Sequence, residues 1–302
     1  MLFPMNCNCC NSDKVIPHPL NLTGYRECLR CGLIFKEKHD GNTRKNELIS
    51  HYSSADPHES VAAAKQNFFK KTLEFLNREI NGPKKSILDI GCGYGYFIDL
   101  AAKQGWDAYG TEIVKKAVKC AEKKIGKANV HHGTLIDAKY NDNYFDVNTF
   151  WDVLVEVDDP FEELKECYRI LREGGKIGIR VRNSFFQRLI YKLYLRFKKI
   201  ADKYQIKKPY VFHQFSFNRK AIFLLLVRVG FTNIAIKNSP LSKGDPYNYT
   251  KINRIVNVTK NFTEILSEII FFFSFGKLIV GPSLLIWAEK PKYKSKGRQI
   301  RL

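Results

Sequence analysis

A glycine-rich stretch in the first third of the chain constrains the fold more than any other segment. Residues 86–98 read Ser-Ile-Leu-Asp-Ile-Gly-Cys-Gly-Tyr-Gly-Tyr-Phe-Ile. The apolar run 87–90 is typical of a strand that is buried on both faces of a parallel sheet. Glycines tolerate positive φ and let a ligand approach the backbone. The stretch therefore predicts a buried strand, an open turn at 91–95 and then a helix.

The predicted turn is suited to a polar or anionic ligand. A helix that follows such a turn presents unpaired N–H groups and the positive end of its dipole. Asp89 lies at the carboxyl end of the strand, where open α/β sheets bind ligands. The spacing is G-x-G-x-G, whereas dinucleotide-binding turns read G-x-G-x-x-G. A second predicted strand, 107–111, leads into Glu112, whose carboxylate can accept hydrogen bonds from both ribose hydroxyls of an adenosine.

Strands and helices alternate through most of the chain. A helix is expected over 60–80, strands over 86–90, 107–111 and 129–132, and helices over 95–104 and 114–125. A fourth strand opens at 143, and a helix over 161–172 leads into a fifth strand that ends at Arg182. This alternation predicts an α/β fold with a mostly parallel sheet and helices on both faces.

Residues 88–95 resemble the first motif of the class I S-adenosylmethionine (SAM)-dependent methyltransferases, Leu-Asp-hydrophobic-Gly-Cys-Gly-x-Gly. The resemblance implies a Rossmann-like sheet whose last strand, over 282–289, runs antiparallel at the sheet edge. It implies that Asp89 and the turn hold the methionine end of SAM and that Glu112 holds the ribose. The implied cofactor-binding residues are Asp89, Gly91, Cys92, Gly93, Gly95, Glu112, Ile113, Thr134, Leu135, Phe150 and Trp151.

The loop after the fourth strand resembles its counterpart in the same family but departs from it at two positions. Relatives often carry histidines where this chain has Asp152 and Val157, while Glu156 and Pro160 match. Asp152 is thus the nearest substitute for a catalytic base, and a cap or an ion pair is its alternative role. Relatives carry a similar histidine-bearing turn at His213, which we expect to face the substrate as a base. A packing role for this histidine is the alternative.

Two C-x-x-C pairs lie near the start of the chain. Cys7 and Cys10 form the first pair and Cys28 and Cys31 the second, a spacing that predicts a four-cysteine zinc site. Four thiolates leave no open coordination position, so the zinc would be structural. Cys9 could replace Cys10 in this set. A redox-active C-x-x-C is the alternative, but no βαβ pattern accompanies it.

The order of ribbon and methyltransferase domain resembles a bacterial and archaeal family of methyltransferase-domain proteins tied to sugar, polysaccharide or other small-molecule biosynthesis. Residues 25–35 match its Tyr-x-x-Cys-x-x-Cys-Gly-Leu-x-Phe ribbon motif. The resemblance implies a small-molecule, sugar or glycan, or lipid-linked acceptor. The expected organisation is a zinc-ribbon-like module (1–36), a linker and helix (37–83), a methyltransferase domain (84–290) with helical insertions at about 184–206 and 250–280, and a basic tail (291–302).

The net charge of +20 favours acidic partners, namely nucleic acid, an anionic membrane surface or phosphorylated substrates. A solvated basic surface is the alternative, since the charge is spread along the chain. The basic, aromatic stretch 184–206 could lie on an anionic membrane, cover the active site or pack on the domain. No RNA-module signature is present, so nucleic acid is the less favoured partner. An RNA methyltransferase and a non-catalytic cofactor-binding adapter remain alternatives, while the glycine spacing disfavours a dinucleotide oxidoreductase.

The first residues have no basic start and no apolar run, so a secretory signal is not expected. No apolar run reaches the ~20 residues of a spanning helix, because Lys277, Gly281 and Pro282 interrupt the best candidate. We therefore expect a cytoplasmic protein with a peripheral contact to a membrane as an option. Its eight cysteines should be reduced unless they bind metal. The methylated atom and the oligomeric state stay open.

Overall fold

The computed structural model describes residues 6–20, 22–37, 49–50, 58–82, 84–203, 213–240 and 253–292. Side chains are described in these ranges except at 58–63, 201 and 253–260. Most of the expected linker, at 38–48 and 51–57, and most of the expected basic tail, at 293–302, lie outside the described residues.

The elements follow in this order along the chain: β1 (Val15–Pro17), β2 (Tyr25–Cys28), β3 (Ile34–Lys36), α1 (His58–Glu79), β4 (Lys85–Ile90), α2 (Tyr96–Lys103), β5 (Trp106–Glu112), α3 (Lys115–Ile125), β6 (Val130–His132), α4 (Leu135–Ala138), β7 (Phe145–Trp151), α5 (Pro160–Ile170), β8 (Leu171–Arg182), α6 (Ser184–Arg196), α7 (Lys198–Lys203), β9 (Phe215–Ser216), α8 (Arg219–Val229), β10 (Thr232–Asn238), α9 (Asn253–Phe273) and β11 (Ser283–Glu289). The predicted elements of the α/β domain are therefore present, with ends that differ by a few residues.

The main sheet has seven strands in the order β10-β11-β8-β7-β4-β5-β6. β6, β5, β4, β7 and β8 pair in parallel, and β11 runs antiparallel to both of its neighbours. The prediction of a mostly parallel sheet with an antiparallel last strand is confirmed. Its expected place at the edge is wrong, because β11 lies between β10 and β8. The apolar residues Leu284, Leu285 and Ile286 are all buried, which suits an interior strand, whereas β10 exposes alternate residues and forms the edge.

Two hydrophobic cores cover the two faces of this sheet, and β4 contributes to both. Leu88 and Ile90 join one core and Ile87 joins the other, since successive side chains of a strand point to opposite faces. The chain leaves β4 toward β5 and β6 on one side and toward β7 and β8 on the other. The carboxyl end of β4 is therefore the topological switch point at which such sheets bind ligands.

The N-terminal strands are docked on the larger domain by a shared sheet. β1, β2 and β3 are antiparallel, and β3 pairs with β9 through Phe35 and Phe215. The Asn218 side chain donates to the backbone carbonyls of Cys31 and Gly32. Residues of the first module and of the α/β domain thus share one continuous core.

Helices lie in the described parts of the two stretches that were expected as insertions. The stretch 184–206 forms α6 and α7 as far as residue 203, and residues 204–212 lie outside the described ranges. The second insertion forms α9. Within the described part of the chain, no helix combines the length and apolar composition that crossing a bilayer requires.

Candidate cofactor and acceptor site

The glycine turn after β4 has three left-handed residues. Gly91, Gly93 and Gly95 have φ values of 68°, 55° and 76°. A Cβ on Gly91 would lie 2.4 Å from a methyl carbon of Val153, and one on Gly95 would lie 2.9 Å from Ala121. A Cβ on Gly93 would meet no atom within 4 Å. Packing therefore requires the outer two glycines, while the backbone at Gly93 is open to a ligand.

Glu112, at the end of β5, lies directly against this turn. Its Oε2 accepts a hydrogen bond from the backbone N–H of Gly93 across 2.9 Å. Its Oε1 accepts one from the N–H of Val114 across 2.8 Å. Burial raises the pKa of Glu112, although both backbone donors oppose that shift. The predicted ribose-binding carboxylate is thus held beside the open part of the turn.

Asp89 is buried at the end of β4, with 3% of its surface exposed. Burial raises its pKa to about 7, although the Thr149 hydroxyl donates to Oδ1 across 2.7 Å and opposes the rise. Thr149 was not predicted as a site residue. It lies on β7 directly beside Asp89, a neighbour relationship that appears only once β4 and β7 are paired.

The remaining predicted cofactor residues lie along the same carboxyl edge. Cys92 packs against Gly110, and the Thr134 hydroxyl accepts from the N–H of Asp137 at the start of α4. The indole Nε1 of Trp151 is buried and has no hydrogen-bond partner among the described residues. Leu135, Phe150 and Trp151 direct their side chains into the two cores, and Ile113 is half-buried.

The residues at this edge fit a SAM-type ligand. An open glycine backbone, the buried carboxylate of Asp89, the half-buried carboxylate of Glu112 and the start of α2 are brought together at one switch point. Carboxylates suit the ammonium of the methionine part and the hydroxyls of the ribose.

A histidine and a carboxylate meet on the loop that follows β7. His213 Nδ1 lies 2.5 Å from Glu156 Oε1, and both side chains are mostly buried. The N–H of Phe215 donates to the carbonyl of Val155, which ties the segment carrying His213 to this loop. The same loop rests on the glycine turn through Val153. A carboxylate at this distance orients the imidazole ring.

Asp152 is ion-paired on both sides. Its Oδ2 accepts from Lys65 Nζ at 2.8 Å and from an Arg180 guanidinium nitrogen at 2.5 Å. Burial opposes ionisation, but Arg180 and Lys65 outweigh it and lower the pKa of Asp152. The geometry matches the ion-pair alternative, and a carboxylate held ionised this strongly is a poor proton acceptor. Lys65 was not predicted, since nothing in the local sequence pairs it with Asp152.

Four cysteine sulfurs converge at the N-terminal module. The Sγ atoms of Cys7, Cys10, Cys28 and Cys31 all lie within 4.8 Å of one another. A tetrahedral zinc with bonds of ~2.3 Å would separate its sulfurs by roughly 3.8 Å, so the cluster fits that ion. Cys9 is fully buried outside this group. The cluster therefore includes Cys10 rather than Cys9.

Three features define the Rossmann-like fold of class I SAM-dependent methyltransferases. They are the strand order, the antiparallel strand β11 and the glycine turn that faces Glu112. The family described as "Methyltransferase domain" matches residues 61–236, which is more than half of the chain. The chain belongs to this family.

Two curated proteins are similar to part of this chain. The uncharacterized protein MJ1123 of Methanocaldococcus jannaschii is 33% identical over 168 residues, which cover 55% of this chain and 73% of that protein. A ubiquinone biosynthesis O-methyltransferase of Aromatoleum aromaticum is 27% identical over 124 residues, which cover 39% of this chain and 53% of that enzyme. The chain thus spans about half the length of the O-methyltransferase that it matches.

Solved structures share the fold at low sequence identity. A phosphoethanolamine N-methyltransferase of Haemonchus contortus in complex with SAM aligns with a TM-score of 0.52 and 17% identity, over 86% of this chain and 62% of that one. A methyltransferase of Haloferax volcanii, solved with the Trm112 methyltransferase activator, aligns with a TM-score of 0.53 and 13% identity. The alignment covers 84% of this chain and 99% of that one.

Proposed function

We propose that this chain transfers a methyl group from SAM directly to a small-molecule acceptor. The observation that carries the proposal is the contact between Glu112 and the backbone of Gly93 at the open turn, with Asp89 buried beside it. Membership of the methyltransferase family and the class I fold support the choice of SAM over a dinucleotide.

The chain's own residues would hold the cofactor and align it. Asp89 would pair with the methionine ammonium, and Glu112 would accept hydrogen bonds from the ribose hydroxyls. The turn would leave room for the part of SAM that lies between these two groups. Bound SAM supplies an activated methyl group. The protein then has mainly to position the acceptor, and such alignment contributes about 7–11 kcal/mol in favourable cases.

We assign His213 as the base that removes a proton from the acceptor. Glu156 would act as its positioning residue, because it holds Nδ1 and stabilises the positive charge that the ring acquires. A positioned base of this kind contributes roughly 10²–10⁴-fold in rate. Asp152 would instead fix the loop through Lys65 and Arg180.

The acceptor class rests on similarity and charge. The O-methyltransferase relatives belong to ubiquinone biosynthesis, which supports a small molecule. A sugar, a glycan or a lipid-linked intermediate remains within the proposal, and the basic stretch around α6 supports peripheral contact with an anionic membrane. RNA is the second candidate, since the net charge of +20 and the ribbon suit a polyanion.

We infer a structural zinc at Cys7, Cys10, Cys28 and Cys31. All four ligand positions of a tetrahedral ion would be filled by thiolates, so no site for substrate is left. The ion would fix the first module, whose Leu33 and Phe35 are buried in the core shared with α8.

The test is release of S-adenosylhomocysteine by the full chain with SAM and fractionated acceptor pools. The proposal expects turnover with a small-molecule or lipid fraction and none with RNA. Turnover with RNA alone, at a rate that falls steeply as salt rises, would replace this acceptor class with the second candidate.

A further inference from the structure

Most of the apolar residues in the described part of α9 lie on the side that faces away from the protein. Six side chains recur at helical spacing and are 44–76% exposed: Phe262, Ile265, Leu266, Ile269, Phe272 and Phe273. We call these six residues the α9 stripe. They cover an arc of roughly 120°, and no charged residue of the described part of α9 lies within it.

The opposite side of α9 is the one that packs on the domain. Ser267 is buried, its backbone carbonyl accepts from the Asn238 side chain, and Phe271 packs against the core. An amphipathic helix in a globular protein normally turns its apolar side inward. The described part of α9 does the reverse, and contiguous exposed apolar surface of this size marks an interaction site.

A second amphipathic element, formed by α6 and α7, is strongly basic. Five apolar side chains of α6 and α7 are 46–55% exposed: Phe185, Leu189, Leu193, Phe197 and Ile200. We call these residues, together with the cations named next, the α6–α7 surface. The exposed cations between and beside them are Lys192, Arg196, Lys198, Lys199 and Lys203. Asp202 is the sole acidic residue of 184–203. Apolar and basic side chains interleaved in this way are typical of helices that lie in a bilayer interface.

One residue links the start of α6 to the segment that follows α9. Asn183, which caps α6, donates from its side chain to the backbone carbonyls of Ile279 and Gly281, and the chain reaches these soon after α9 ends. Phe275 and Leu278, on this exit segment, are 91% and 56% exposed. The apolar surface is therefore extended from α9 toward the start of α6.

We propose that the α9 stripe and the α6–α7 surface together dock this chain on an anionic lipid bilayer. The stripe enters the boundary between headgroups and acyl chains, and the lysines and arginines of α6 and α7 contact lipid phosphates. A second copy of the chain fits this surface poorly, because it would bring two basic α6–α7 segments and two net charges of +20 together. RNA fits the stripe poorly, because the stripe offers no cation to a phosphate.

The docking surface begins near the carboxyl end of β8, and the candidate site lies at the carboxyl ends of the same parallel strands. Asn183 directly follows β8, and Arg180 of that strand holds Asp152 beside the glycine turn. Docking would thus present the acceptor side of the site to lipid-soluble molecules. This last consequence rests on the proposed function, whereas the docking itself does not.

Vesicle flotation with the full chain tests the proposal without any need for turnover. The vesicles are phosphatidylcholine alone and phosphatidylcholine with one-third phosphatidylglycerol. The double variant Phe272→Ser/Phe273→Ser removes two exposed rings, and Lys198→Ser/Lys199→Ser removes two exposed cations. Ile136→Ser is the matched control, because Ile136 is 52% exposed and follows β6 at the opposite edge of the sheet. Melting temperatures confirm that each variant is folded.

The wild-type chain should bind the anionic vesicles at least about tenfold more tightly than the neutral ones. The Phe272→Ser/Phe273→Ser variant should lose at least about tenfold in affinity, and the lysine variant should lose part of the anionic preference. Ile136→Ser should bind as the wild type does. Failure of the wild type to bind anionic vesicles, or equal binding by the phenylalanine variant, overturns the proposal. So does a wild-type dimer, seen by sedimentation, that the phenylalanine substitutions convert into monomers.

Discussion

Val153 occupies the space that a side chain at Gly91 would need. A Cβ on Gly91 would lie 2.4 Å and 2.8 Å from the two methyl carbons of Val153. The loop that carries the Glu156–His213 pair therefore rests directly on the cofactor turn. This contact fixes the proposed base relative to the proposed methyl donor. It is possible only because residue 91 has no Cβ.

Gly91→Ala should abolish or strongly weaken SAM binding and should lower the melting temperature. The φ of 68° costs a non-glycine residue about 1–2 kcal/mol, and the clash with Val153 adds to that cost. Val153→Ala in the same chain should restore part of the loss, since it removes the clash alone. Gly105→Ala is the control, because Gly105 has φ 82° and open space around its Cβ position. Isothermal titration would contradict the account by showing wild-type affinity for Gly91→Ala.

His213→Gln should lower the rate of methyl transfer by roughly 10²–10⁴-fold and leave SAM affinity unchanged. Glu156→Gln should cause a smaller loss, since an amide can still orient the ring but carries no charge. A rate of methyl transfer that is unchanged in His213→Gln would remove this residue from the mechanism.

The stability of the ligand-free protein should report the raised pKa of Asp89. The folded chain holds this proton up to about pH 7, whereas the unfolded chain releases it near pH 4. The free energy of unfolding therefore falls as pH rises from about 4 to about 7, by at most about 4 kcal/mol from this group. Asp89→Asn should not show this fall, so its stability relative to the wild type should increase over that range. Parallel stability curves for the two proteins would be the contrary result.

One zinc per chain should be found by elemental analysis, and a chelator should lower the melting temperature. Cys7→Ser should lose the metal, because it removes one of four clustered thiolates. Cys9→Ser should keep it, since Cys9 is buried outside the cluster. Zinc retained by Cys7→Ser and lost by Cys9→Ser would reverse the ligand assignment.

The parts of the site that depend on local sequence could be predicted. The turn follows from its glycines and from the apolar run before it, and the end of β5 placed Glu112 one strand away. Cys7, Cys10, Cys28 and Cys31 could be recognised by spacing, although Cys9 remained an alternative until the cluster geometry excluded it.

The contacts between distant residues could not be predicted. Lys65 and Asp152 are 87 residues apart, and Glu156 and His213 are 57 apart, so no sequence period relates the partners. The position of β11 between β10 and β8 could not be predicted either, because it depends on how the whole sheet packs. The outward orientation of the α9 stripe also needed the structure, because an apolar helical pattern normally indicates an inward one.

Titration of SAM into the ligand-free protein, with NAD as a second titrant and Glu112→Ala as the variant, tests whether the Gly93 turn and Glu112 form the cofactor site. We expect one bound SAM per chain and no binding of NAD. Glu112→Ala should bind SAM at least about tenfold more weakly, because charge-assisted hydrogen bonds contribute about 1.5–3 kcal/mol each. A folded wild-type chain that does not bind SAM, or a folded Glu112→Ala variant that binds it equally well, would contradict the claim that the Gly93 turn and Glu112 together form the cofactor site.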